Sequence, residues 1–371
     1  MTHAPTRPDA AGRRTPPPRA IAAVLVAFAA TLLGAVPTHG RDAATPSATV
    51  ATPSASPTLT IGGDRIVRLV SDPSATGPLA VIGGRGLYRS GDGGATWHTA
   101  GPVPPAPEVV AAGDDAERLM AGGDAVCADE PTAEPLWGST DGGATWDEIG
   151  GSAGIAPLAT WAGAGVALGV ACDGLRFSAD AGLTWTAGDA LGGEVVVTSV
   201  AVPDAARPAA VLALTGGRGS GVLRAVDLTD PAAPVLRPPA RTFWGTGQIA
   251  ALGPCRLLGL ATGVAVSGDQ SVTWTSSRVG IETATVSVDP NLAPIPAAEL
   301  ERGFGITAVA FGDDCARQFL GTGRGLFASA DGGATWDPVA GADASVRALA
   351  VGTDRVLVET GDGVVVLPIA T

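Results

Sequence analysis

Short apolar runs, separated by turns rich in Gly, Asp and Ser, fill the chain from Leu59 to its end. Ile66–Val70, Leu79–Ile82 and Leu87–Ser90 form one such series, and a further run begins at Thr96. Each run is short and bounded by turn residues, so each predicts a β-strand. Later units begin near Val109–Ala112, Leu158–Trp161, Val196–Val202, Ile249–Leu252 and Ile306–Phe311. The series ends on three strands without a fourth, Val346–Val351, Arg355–Glu359 and Gly363–Leu367.

The turn after the third strand of a unit is an eight-residue phrase that occurs five times. It reads Ser90-Gly91-Asp92-Gly93-Gly94-Ala95-Thr96-Trp97 in its clearest copy. The other copies run from Ser139 through Asp141 and Thr145 to Trp146, and from Ser178 through Asp180 and Thr184 to Trp185. Two more run from Ser267 through Asp269 and Thr273 to Trp274, and from Ser329 through Asp331 and Thr335 to Trp336. Five of the eight tryptophans fall in these phrases, so the phrase is a structural repeat. An Asp carboxylate accepts backbone N–H groups just ahead of it, and Gly supplies the positive φ of a tight turn. Thr-Trp then resumes an extended strand whose indole packs on its neighbour.

This phrase resembles the Asp-box (BNR) repeat of sialidase-like β-propellers and of photosystem II stability/assembly-factor-like proteins. The resemblance implies an all-β fold, a single propeller of four-stranded antiparallel blades spanning residues 59–371. It also implies that Ser90, Asp92, Trp97, Ser139, Asp141, Trp146, Ser178, Asp180, Trp185, Ser267, Asp269, Trp274, Ser329, Asp331 and Trp336 are structural. In that family the boxes sit at the outer lower rim, away from the central site.

Successive box serines are 49, 39, 89 and 62 residues apart. The step of 89 holds two units, the first of them with a decayed box after Gly221–Asp227. Six four-stranded units plus three orphan strands favour seven blades, with six as the alternative. Thr58–Ile61 is expected to supply the missing strand and close the ring, which removes an exposed edge.

The cysteines fit this register. Cys127 and Cys172 fall between the second and third strands of adjacent units, Cys255 and Cys315 between the first and second strands of the fifth and sixth units. Disulfides Cys127–Cys172 and Cys255–Cys315 are therefore favoured over the other connectivities, four buried thiols being the other reading. His3, His39 and His98 are the only histidines, and the cysteine spacing does not suggest a metal site. No metal and no cofactor is expected.

Ahead of the repeats, Arg13, Arg14 and Arg19 precede the uncharged apolar run Ala20–Val36. Residues 1–40 read as a signal peptide or N-terminal membrane anchor, and 41–58 as a disordered Ala/Thr/Ser/Pro linker. The repeats are then expected outside the cytoplasm, secreted or anchored at the cell envelope, where disulfides persist. The formal net charge of −13 argues against nucleic acid or an anionic membrane surface as partner. All 23 basic residues are arginine, which excludes lysine chemistry.

Candidate chemistry collects on the face formed by second-to-third-strand turns and blade-to-blade connections. Arg85, Arg218 and Arg324 share one turn position and could clamp a carboxylate or phosphate. Asp173 and Asp362 hold that position in other units. The second unit's turn is expanded and carries Asp129 and Glu130, while an insertion from Arg278 to Arg302 carries Glu282, Asp289, Glu299 and Glu301. A glycosidase needs a carboxylate pair, for which Asp129, Glu130, Asp173, Glu282 and Asp362 are weak candidates. Sialidases also carry an Arg-Ile-Pro signature and a Tyr nucleophile with a Glu partner. Here Asp64-Arg65-Ile66-Val67-Arg68 lacks the Pro, and the single tyrosine, Tyr88, lies in a strand beside a box. The expectation is a non-catalytic exported propeller binding a protein or glycan through its loop face. The alternative is a glycoside hydrolase.

Overall fold

A computed structural model describes residues 58–371 except 71, 73–78, 107, 113–114, 189–195, 216–219, 231–232, 245–246, 283–284, 286–304, 353 and 370–371. The expected leader, the linker up to residue 57, and Arg218, Asp289, Glu299 and Glu301 lie outside the described residues.

Seven antiparallel sheets succeed one another along the chain, each built from consecutive strands, and together they form a seven-bladed propeller. Blade one comprises Asp64–Leu69, Leu79–Gly83, Leu87–Ser90 and His98–Gly101. Blade two has Glu108–Ala112, Asp115–Gly122, Leu136–Ser139 and Asp147–Ile149. Blade three has Ala156–Trp161, Val166–Ala171, Gly174–Ser178 and Thr186–Ala187. Blade four has Val196–Ala201, Ala209–Thr215 and Ser220–Asp227, and its outer edge is split into Val235–Leu236 and Arg241–Trp244. Both pieces pair with Ser220–Asp227, and this is the unit whose box has decayed. Blade five has Gln248–Leu252, Cys255–Leu260, Gly263–Ser267 and Thr275–Ser277. Blade six has Ile306–Phe311, Gln318–Thr322, Gly325–Ser329 and Asp337–Pro338. Blade seven has Val346–Val351, Arg355–Thr360 and Gly363–Pro368.

Thr58 and Leu59 complete blade seven, as expected, but with a shared segment rather than a whole strand. Thr58 bridges Val365 and the Leu59 N–H donates to the Val364 carbonyl at 2.6 Å. Thr60 and Ile61 instead fold back on Asp64 and Arg65 of blade one. Two residues therefore close the ring and the next two begin it.

The apolar runs are continuous because each sheet buries both faces. In Val166–Ala171, Val166 and Leu168 enter the core between blades three and four, whereas Ala167 enters the core between blades two and three. Seven apolar clusters result, one at each junction between neighbouring blades. The inner strands of blades one, three, four, six and seven carry a bulge near the same place, at Val67, Leu158, Thr198, Thr307 and Arg347. A bulge leaves one residue unpaired in its own sheet. Two of these residues stitch blades together: Thr198 Oγ1 donates to the Gly247 carbonyl (3.0 Å) and Thr307 Oγ1 to the Val346 carbonyl (2.6 Å).

Both expected disulfides are present, with Cα separations of 5.0 Å for Cys127–Cys172 and 6.0 Å for Cys255–Cys315. The first ties blade two to blade three, the second blade five to blade six.

Candidate functional site: the channel and its loop face

Strands alternate in direction, so first-to-second and third-to-fourth connections emerge on one face of the ring. The backbone confirms it. N–H groups of the repeated turns donate to the first-to-second connection of their own blade or to the start of its second strand, from Gly142 to Glu117, Ala181 to Gly165, Gln270 to Pro254 and Gly332 to Ala316. The opposite face carries the second-to-third turns and the links between blades.

The five repeated turns use their polar atoms internally. In each, the Ser hydroxyl donates to Asp Oδ1 at 2.7–2.8 Å and accepts an N–H four residues on. The same carboxylate takes the Thr N–H, and Oδ2 takes the Thr hydroxyl at 2.6 Å. The Thr hydroxyl and N–H lead in holding Asp141, Asp269 and Asp331 down to a pKa of about 2. These are strong acids locked as anions, unsuited to proton transfer near neutral pH. Trp97, Trp146, Trp274 and Trp336 close the turn by donating Nε1–H to a carbonyl three residues back.

On the other face, Arg85 and Arg324 are exposed at equivalent turns of blades one and six. Asp173 is exposed in blade three and pairs with Arg176, while the exposed Asp362 receives the Arg65 guanidinium on its backbone carbonyl. Asp129 and Glu130 stand exposed on the expanded turn of blade two. The structure brings Asp129 and Asp173 to one cavity of about 550 Å³ beside the Cys127–Cys172 bridge, with Arg176 and Trp185 on its wall. Glu282 is spent locally, accepting the Gly280 N–H at 3.0 Å.

The turns themselves are braced from within. In blades six and seven the Thr322 and Thr360 hydroxyls donate across the turn and accept the N–H of Arg324 and Asp362. Blade one has Gly83 there, and Asp64 does the work instead. Its buried carboxylate accepts the Gly84 and Arg85 N–H groups (3.1 and 2.8 Å) and the Tyr88 hydroxyl (2.9 Å). A Cβ on Gly83 would lie 2.3 Å from Asp64 Oδ2, so the glycine admits the acid. Burial pushes the Asp64 pKa up, but the hydrogen bonds from Arg85, Tyr88 and Gly84 outweigh it and leave the carboxyl below its ordinary value. Tyr88 is pushed the other way, its phenol held protonated chiefly by the bond to Asp64.

Sequence reasoning missed the channel. A cavity of about 540 Å³ follows the inner strands, lined among others by Arg68, Glu108, Gln248, Thr307, Arg347 and Glu359. Glu359 is half-buried in the second strand of blade seven and accepts the Leu69 N–H of blade one at 2.8 Å. Burial drives its pKa upward against that N–H and the charges of Arg68 and Arg347, while Glu108 adds to the rise. The available signal was charge in strands that are otherwise apolar. Among the described residues, no three His, Cys, Asp or Glu side chains converge as a metal ion would require.

No protein-family model matches the chain, and no curated protein matches its sequence. Solved structures share its fold. YCF48 from Cyanidioschyzon merolae superposes with a TM-score of 0.50 at 18% identity, over 84% of this chain and 98% of that one. A chain of the Mitotic Checkpoint Complex gives 0.53 at 13% identity, over 90% of this chain and all (100%) of its own length. The extracellular domain of BT4673 from B. thetaiotaomicron gives 0.51 at 10%, over 84% of this chain and 39% of that chain. At such identities the likeness concerns the propeller fold alone.

Proposed function

We propose that this chain is an exported, non-catalytic propeller of the Asp-box (BNR) kind that binds a protein or glycan at the cell envelope through its loop face. The observation that carries this reading is the bond between Tyr88 and Asp64. The only tyrosine of the chain is buried, protonated and committed to bracing a turn, whereas a sialidase-like reaction needs a phenol at the site. The loop face presents Arg85, Arg324, Asp129, Asp173 and Asp362 at exposed turns around a channel that itself carries charge. Such a rim of opposite charges suits polar recognition more than buried chemistry. The disulfides agree with an oxidising compartment outside the cytoplasm.

Glycan arrays and envelope pull-downs test this, comparing the wild type with an Arg85→Ala, Arg324→Ala double variant. Retention of a ligand that the double variant loses supports the reading. Binding that is unchanged by every loop-face substitution sinks it.

One observation favours the second reading, a glycoside hydrolase. Asp129 and Asp173 share a cavity with an aromatic and an arginine, a constellation able to hold a sugar ring between two carboxyls.

A further inference from the structure

The second strand of each boxed blade sets one residue directly opposite the serine that opens the repeated turn. Leu79 faces Ser90, Leu119 faces Ser139, Ala167 faces Ser178 and Gln318 faces Ser329. Blade five alone puts a charge there: Arg256 faces Ser267. The arginine is 6% exposed. Its Nη1 donates to the Gly253 and Cys255 carbonyls, both at 2.7 Å, whereas Nε has no acceptor. None of the ion pairs among the described residues engages it. A buried guanidinium without an anion is destabilising, and burial pulls its pKa below the ordinary arginine value. A leucine is tolerated at the same place in two other blades, so packing does not demand the charge.

Arg256 lines a cavity of about 400 Å³ on the face of the repeated turns, between blades four and five, together with Pro203, Asp204, Arg207, Pro254 and Gln270. Asp204 is committed to Arg207 at 3.6 Å and to the Ala206 N–H at 3.0 Å. Two guanidiniums against one carboxylate leave the lining positive in a chain of net charge −13. Gln270 stands where three other boxes have Gly93, Gly142 and Gly332, and it keeps their left-handed backbone at φ 60°. The third box holds Ala181 in the same conformation, so this position accepts a side chain at some conformational cost. In blade five that position, Gln270, lies on the lining of the cavity that holds the unpaired arginine.

We propose that this cavity is an oxyanion site, in which Arg256, with Arg207 and Gln270, binds a sulfate, phosphate or carboxylate group. With Nη1 of Arg256 held by the two carbonyls, its remaining guanidinium N–H groups, the Arg207 guanidinium and the Gln270 side chain are the donors offered to the oxygen atoms. The group is carried by an acidic glycan or is a free ion, and one set of titrations separates these sources. The site lies on the face opposite the exposed arginine turns and stands or falls independently of them.

Calorimetric titration of the full chain with inorganic sulfate and phosphate, at ionic strength fixed with NaCl, tests the site directly. Arg256→Leu copies Leu79 and Leu119, and Arg256→Gln copies Gln318, so one of the two remains informative if the other folds poorly. Arg317→Gln, in blade six and outside this cavity, is the control. Wild type and control are expected to bind oxyanion, and both Arg256 variants to lose at least tenfold in affinity. Tighter binding of a sulfated or uronic disaccharide than of the bare anion, again lost in Arg256→Gln, assigns the group to a glycan. Binding of the bare ions alone assigns a free oxyanion. No oxyanion binding by the wild type, or equal binding by the Arg256 variants, overturns the proposal.

Discussion

The Tyr88 hydroxyl donates to Oδ2 of Asp64 across 2.9 Å of buried space in blade one. The pair replaces the threonine that braces the equivalent turns of blades six and seven, and it presents the Arg85 turn to solvent. Asp64→Ala leaves two backbone N–H groups and one phenol without an acceptor, and a buried donor left unpaired is costly. We expect thermal unfolding to fall by several degrees, with Tyr88→Phe falling less because it removes one donor and orphans nothing else. Gly83→Ala should resemble Asp64→Ala, since its Cβ would displace the carboxylate.

Acid should weaken the ring through its repeated turns. The Asp141, Asp269 and Asp331 carboxyls titrate near 2 in the folded chain, below the unfolded value of about 3.9. A depressed pKa contributes stability that is complete above the unfolded value and disappears as pH falls through the folded one. Denaturant midpoints should therefore drop between about pH 4 and pH 2. Asp331→Asn should lower the midpoint at neutral pH and flatten the acid loss, and an unchanged slope would contradict this.

Glu359 carries the opposite sign. Its raised pKa means that the folded chain resists ionisation, so the carboxyl lowers stability as pH climbs above its unfolded value of about 4.3. Glu359→Gln keeps an oxygen for the Leu69 N–H and removes the charge. Melting at pH 7 should rise in this variant, and the gain should vanish at pH 4. An equal gain at both values would show that packing, not charge, is responsible.

The blade plan was legible because the repeat is written in side chains that act locally. Ser, Asp and Thr bond within a few residues of one another, so each phrase announces its own turn. The disulfides followed from register alone, since equivalent turns of neighbouring blades must adjoin. The Asp64 brace was not legible, because its partners lie 20 and more residues away and the acid serves where other blades use threonine. The channel charges were hidden for a similar reason. Arg68, Glu108, Arg347 and Glu359 come from blades one, two and seven and meet only when the ring closes. Arg256 needed the pairing register, which sets it against Ser267, before it stood out from Leu79 and Leu119.

The disulfides should matter to stability as cross-links between blades. They span 45 and 60 residues, and loop entropy assigns about 4 kcal/mol to closures of that length. Cys255→Ser with Cys315→Ser should cost more than the Cys127 and Cys172 pair, because Cys255 also lies in the core between blades five and six. Chemical denaturation of both double variants, alongside the wild type with and without reductant, measures the two contributions.

The central claim is that the loop face binds without catalysing. Its most direct test is hydrolysis by the purified protein across a panel of fluorogenic glycosides, sialosides included. The account predicts no turnover on any of them. Turnover that disappears in Asp129→Ala and Asp173→Ala, and persists in Tyr88→Phe, would contradict it and make the cavity beside Cys127–Cys172 an active site.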